Sequence, residues 1–292
     1  MSATPVSGLR LGRWLPQLTA VMIGRMSKET NDPRAIKAVT FDLWQTLLLE
    51  DRDLGQRRAQ LRIDGATEAL RDAGHRFSQE HLWEAYRSCA NACNAIRSRE
   101  RDISFAEQVE IFIEQIRVGL SRELPQRAVK GIAEAYDQAF LRFPSPLHAD
   151  AKATLAELKE KGYALGLISN TGMTPGATFR VYMERVGILS FFDALVFSDE
   201  VRLAKPSEKV FHLALDALEV SPDMAVHVGD DRAKDVAGAK LAGLRAIWVP
   251  RPRESYHELD LVTPADGPPA DVTVGCLAEV VGAVEELALH PV

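Results

Sequence analysis

The chain has 292 residues, 46% of them apolar and 26% charged, which excludes a collagen-like, disordered or membrane-spanning protein. Its 35 basic and 41 acidic side chains give a formal charge of −6, so there is no electrostatic footprint for nucleic acid or an anionic membrane, although a small anionic substrate stays open. Three cysteines without a C-x-x-C spacing form no disulfide framework and suit a reducing, cytoplasmic setting.

Residues 1–34 read as a leader, or as an upstream extension with Met22 or Met26 as the true start. The apolar patch from Trp14 to Ile23 is too short for a membrane span, which needs about 20 residues. Ile36 to Phe41 is a continuous apolar run and reads as a buried strand ending at Asp42. Residues 50–143 carry helical periodicity without strand signals. Within them Cys89 and Cys93 lie four apart on one helix face and read as buried structural thiols. Arg57, Arg58, Arg62 and Arg71 read as solvated helix charges, and Trp83 and Tyr86 as apolar packing.

From Pro144 onward strands and helices alternate. Helices are expected over His148–Lys161 with Gly162 as the stop, Thr174–Val186, Ser207–Leu218, a stretch reaching Leu241, and Cys276–Leu287. Strands are expected over Tyr163–Ile168, Ala194–Phe197, Met224–Val228, Leu244–Val249 and, at an edge, Asp271–Val274. Residues 250–270 read as loop. This alternation predicts an α/β fold: a parallel sheet with helices on both faces, made of residues 35–49 and 144–292, with residues 50–143 inserted as an all-helical subdomain.

In such sheets ligands bind beyond the carboxyl ends of the strands. Polar residues gather there: Asp42 and Thr46 after the first strand, Ser169 and Asn170 after the second, Asp199 and then Lys205-Pro206 after the third, Asp230, Asp231 and Asp235 after the fourth. Turn formation or capping explains each alone, but not their shared edge. A carboxylate is a competent nucleophile toward phosphorus or carbon. A phosphate would be repelled by several carboxylates unless Mg²⁺, an oxygen-seeking cation, bridged them. Ser169 and Lys205 suit the non-bridging oxygens.

Four segments in this order, Phe41-Asp42-Leu43-Trp44-Gln45-Thr46-Leu47, Ile168-Ser169-Asn170, Lys205-Pro206 and Val228-Gly229-Asp230-Asp231 through Asp235, resemble the haloacid dehalogenase-like (HAD) superfamily of hydrolases over about Ile36 to Val249. The resemblance implies a Rossmann-like core with a helical cap inserted after the first motif. It also implies Asp42 as nucleophile, Ser169 and Lys205 as catalytic groups, and Thr46, Asn170, Ser169 and Lys205 on the substrate. Asp42, Asp230 and the main-chain carbonyl of Trp44 are then implied on Mg²⁺, with Asp235 acting through a water or bracing the loop. Trp44 departs from the pattern, standing where family phosphatases carry a second aspartate as general acid/base. The expected activity is hydrolysis of a phosphate monoester or acyl phosphate. Two alternatives stay open: a 2-haloacid dehalogenase, favoured by the aromatic Trp44 but opposed by Phe211 in place of that branch's tyrosine, or a catalytically weak binding protein.

Overall fold

A computed structural model describes residues 36–250 and 267–289; the expected leader and most of the expected 250–270 loop lie outside them. Strand β1 (Ala38–Phe41) leads directly into five helices: α1 (Arg52–Asp72), α2 (Gln79–Arg97), α3 (Phe105–Ile116), α4 (Leu120–Glu123) and α5 (Gln126–Arg142). Their starts are written locally. Asp51 and Ser78 accept the free amides of α1 and α2, and Ser104 with Glu107 forms a capping box on α3. These helices enclose a cluster of their own, including Ile63, Leu70, Cys89, Cys93, Phe112, Ile132 and Tyr136. Cys89 and Cys93 are fully buried in it, and Trp83 and Tyr86 pack against it.

The chain then alternates: α6 (Ala151–Glu160), β2 (Ala164–Ser169), α7 (Gly176–Val186), β3 (Ala194–Phe197), α8 (Ser198–Val201), α9 (Glu208–Leu218), β4 (Ala225–Gly229), α10 (Gly238–Leu241), β5 (Arg245–Trp248), β6 (Val272–Thr273) and α11 (Val280–Leu289). The six strands form one parallel sheet in the order β3-β2-β1-β4-β5-β6. This is the expected Rossmann-like architecture. Alternate residues feed opposite faces, as the two-residue period of a strand requires. Val39, Phe41, Leu165, Leu167, Val226 and Val228 pack on α6, α7 and α11, whereas Ala38, Ile168, Val196 and Ala246 pack on α9 and α10. Strand order reverses between β1 and β4, so the crevice for a ligand opens beside Asp42.

Two passages connect the sheet to α1–α5, and they are tied together. The Leu49 amide donates to Pro146 O (2.9 Å) and that of His148 to Leu47 O (2.8 Å). Glu50 pairs with Arg58 and accepts the Ser145 hydroxyl at 2.7 Å. Arg58 and Arg62 are therefore not solvated helix charges: both are buried, because distant segments supply their partners. Arg58 also donates to Ser145 Oγ and Phe143 O, and Arg62 to Tyr86 Oη and Thr174 Oγ1. Arg57 and Arg71 are exposed, as expected. Among the described residues no helix is long and apolar enough to cross a membrane.

Candidate active site

β1 delivers Asp42 to the strand edge, where its amide continues the ladder by donating to Val228 O (2.9 Å). β4 delivers Asp230 beside it, and the wide turn Arg232–Ala237 returns Asp235 to the same spot. One carboxylate oxygen from each of Asp42, Asp230 and Asp235 lies within 4.8 Å of the others, and all three residues are buried. A methyl group at Gly229 would come within 2.4 Å of the Asp235 carboxyl carbon, so this close approach requires glycine.

Lys205 is the counter-charge. Its ammonium is 2% exposed, pairs with Asp42, and lies 2.7 Å from Asp235 Oδ1. Asp235 Oδ2 accepts the Asp231 amide at 2.9 Å, so Asp235 braces its own loop while holding Lys205. Burial alone pushes Asp235 upward, but Lys205 and His227 hold it below the usual carboxylate range. At Asp42 burial outweighs Lys205, and the carboxyl rises to about 6. Burial opposes the charge of Lys205, yet the two aspartates keep it above the usual lysine range. Three buried carboxylates converge here, two of them paired with Lys205. This convergence and the all-oxygen donor set fit a divalent, hard cation.

The hydroxyls of Ser169 and Thr46 are buried, and among the described residues neither has a hydrogen-bond partner. Such groups are costly unless something else pairs with them. Asn170 is used differently. Its carboxamide accepts the Lys205 amide (2.9 Å) and donates to Lys205 O (3.1 Å), which fixes the lysine's backbone. The ring of Trp44 sits edge-on to Phe140 (5.8 Å) and Phe179 (5.3 Å), with the Arg58 guanidinium 5.6 Å away. The Trp44 side chain is thus packed among aromatic rings two positions after Asp42. Asp231 caps the turn that follows, accepting the amides of Ala233 and Lys234 and pairing with Lys234. Asp199 caps α7 by accepting the Gly176 amide.

The sequence profile of the haloacid dehalogenase-like hydrolases matches residues 36–243. The chain belongs to this family. A glyceraldehyde 3-phosphate phosphatase of Methanothermobacter thermautotrophicus is 30% identical over 217 residues, 73% of this chain and 85% of that protein. A phosphoserine phosphatase of Thermus thermophilus is 40% identical over 127 residues, 44% of this chain, and the match spans 49% of that protein's length. A HAD phosphatase from Thermococcus onnurineus has a similar structure, with a TM-score of 0.56 at 25% identity over 85% of this chain and 98% of that one. A 2-haloacid dehalogenase from Pseudomonas syringae pv. Tomato shares the fold at the same TM-score and 24% identity, over 86% of this chain and 99% of that one.

Behind the carboxylates of this hydrolase lies a pair that sequence reasoning passed over. Thr40 and His227 stand opposite each other in register on β1 and β4, with Thr40 Oγ1 2.9 Å from His227 Nδ1. His227 Nε2 in turn faces Asp235 Oδ1 at 3.4 Å. The available signal was two polar residues on the same face of otherwise apolar strands.

Proposed function

We propose that this hydrolase is a Mg²⁺-dependent phosphohydrolase acting on a small phosphate monoester or acyl phosphate, with residues 50–143 as a cap over the site. The convergence of the buried carboxylates of Asp42, Asp230 and Asp235 beside Lys205 carries this reading. These carboxylates, with the Trp44 carbonyl, are the proposed holders of Mg²⁺. When bound, the ion would neutralise the cluster and polarise the phosphoryl oxygens. Asp42 attacks phosphorus; the bond from phosphorus to the leaving oxygen breaks, and that oxygen keeps the electron pair. Water then attacks phosphorus, and the bond to Asp42 breaks, releasing phosphate and the free carboxylate. Lys205, Ser169 and Thr46 donate to the non-bridging oxygens in both steps.

Trp44 offers no proton to the leaving oxygen. A general acid contributes about 10²–10⁴ in rate, so acyl and aryl phosphates, whose leaving groups need little protonation, are the preferred class. The dehalogenase reading draws on the aromatic Trp44, but a haloacid would bring another anion into an already negative pocket. p-Nitrophenyl phosphate decides between them. Hydrolysis that requires Mg²⁺, stops with EDTA and is abolished in Asp42→Asn is expected. Chloride release from 2-chloropropionate that persists in EDTA would overturn the reading, and so would full activity in Asp42→Asn.

A further inference from the structure

The segment Arg97–Asp102, from the last residue of α2 toward α3, grips two of the loops that carry the proposed anion-binding groups, those of Ser169 and Lys205. Arg97 donates through Nη2 to Gly172 O (2.7 Å) and through Nε to Asp102 Oδ2 (3.0 Å). The same oxygen of Asp102 accepts the Ser198 hydroxyl at 2.6 Å, and Ser198 Oγ accepts the Thr171 amide at 2.9 Å. Gln108 adds a second hydrogen bond to Gly172 O at 2.9 Å. The two residues that follow Ser169-Asn170 are therefore held from the helical side.

The second loop is held through its main chain. The Asp102 amide donates to Arg202 O (3.1 Å) and the Ala204 amide to Glu100 O (3.2 Å), an antiparallel bridge that ends one residue before Lys205. Asn170 links the two loops through its paired hydrogen bonds to Lys205. The bridge also has a conformational cost. Glu100 (φ 60°) and Arg202 (φ 62°) both occupy the left-handed region, which side chains other than glycine disfavour. Asp102, with its carboxylate wholly buried, has no route to water that would replace these contacts.

We infer that Arg97 and Asp102 are positioning residues for the reaction. Through Gly172 and Ser198 they set the Ser169-Asn170 loop, and through the bridge they set Lys205, so the anion pocket takes its working shape only while α2 and α3 are seated on the sheet. This rests on the phosphohydrolase reading. Neither residue touches the phosphoryl group; both act through the loops.

The test compares Arg97→Met, Arg97→Lys, Asp102→Asn and Ser198→Ala with the unaltered chain. Each is assayed with p-nitrophenyl phosphate and Mg²⁺, with inorganic phosphate titrated in by calorimetry. Ile113→Ala, in the helical core away from both loops, serves as a control for lost stability. In Arg97→Met and Asp102→Asn, kcat/KM is expected to fall and the phosphate Kd to rise, each by about 10- to 100-fold, the scale of a displaced binding group. Arg97→Lys, which reaches only one of the two partners, falls between. Ser198→Ala, the mildest truncation, reports if the others fail to fold. Variants that lose thermal stability like Ile113→Ala but keep the unaltered kcat, KM and phosphate Kd would overturn the inference. If the unaltered chain shows no turnover, the phosphohydrolase reading fails, and phosphate Kd alone decides the positioning role. No phosphate binding by the unaltered chain would overturn both.

Discussion

At Asp235 three donors meet one carboxylate, and the geometry fixes a proton. Oδ2 takes the Asp231 amide, while Oδ1 takes Lys205 and faces His227 Nε2. A carboxylate held below its usual range has no hydrogen to give, so His227 Nε2 carries one and Nδ1 is left as an acceptor. Burial pushes His227 below the ordinary histidine value, so the ring stays neutral, and the Thr40 hydroxyl is the donor that satisfies Nδ1. Thr40→Val keeps the shape and removes that donor. It is expected to lower unfolding stability by about 1–3 kcal/mol, the cost of an unpaired buried acceptor, measured by urea denaturation. An unchanged midpoint would mean that the hydroxyl serves Val226 O, 3.3 Å away, instead. At this scale the sequence was only half legible. Asp42, Lys205 and Asp230 stood out because strand ends in a parallel sheet are where ligands bind. Arg62, Arg97 and Asp102 did not, because their partners are brought near only by folding: Thr174 is 112 positions from Arg62, and Ser198 is 96 from Asp102.

Among the elements, α7 shows why local patterns were sufficient for existence but not for capping. Pro175 precedes the helix and supplies no side-chain cap, so the Gly176 amide is taken by Asp199, from beyond β3, at 3.2 and 3.3 Å. The strands were legible because each is a short continuous apolar run; β3 matches its expected bounds, and the others differ by one or two residues. The expected helix reaching Leu241 is present, but Arg232–Ala237 is wound as a π-helix before α10. There the Asp231 cap is local, but the pairing of Asp235 with Lys205 is a contact across the fold, which periodicity does not encode. Asp199 has a measurable consequence. Burial pushes its carboxyl from 3.8 to about 6, against the bond from Gly176. The folded state then binds this proton more tightly than the unfolded chain does, so its contribution to stability falls as pH rises from about 4 to about 6 and is level above. Asp199→Asn keeps an oxygen for the Gly176 amide and removes the ionisation. The stability of Asn over Asp is expected to grow across that window, by at most about 3 kcal/mol, in urea unfolding at pH 4, 5, 6 and 7. A difference that does not vary with pH would show that Asp199 titrates like a solvated carboxylate.

For the molecule as a whole, the carboxylate cluster is a site where function and stability oppose each other. Asp42, Asp230 and Asp235 converge from β1 and from both ends of the turn after β4, at the point where the sheet's strand order reverses. In the unfolded chain these charges are far apart and hydrated. Folding buries them together beside Lys205, which pairs with Asp42 and Asp235, but it also desolvates like charges and favours their separation. A divalent cation that binds only the folded arrangement must therefore stabilise the protein through mass action, whether or not any substrate is turned over. At about 100 times its dissociation constant the ion contributes about 2.7 kcal/mol. For a chain of this size that is a rise in Tm of about 4 °C. Thermal unfolding followed by circular dichroism in EDTA and in millimolar Mg²⁺ is expected to show this rise. Asp230→Asn, which removes one of the three carboxylates, is expected to gain less from Mg²⁺ than the unaltered chain. Scans in EDTA and Mg²⁺ that superimpose for the unaltered chain would mean that the protein's own groups balance the cluster, and the proposed metal site would have to be abandoned.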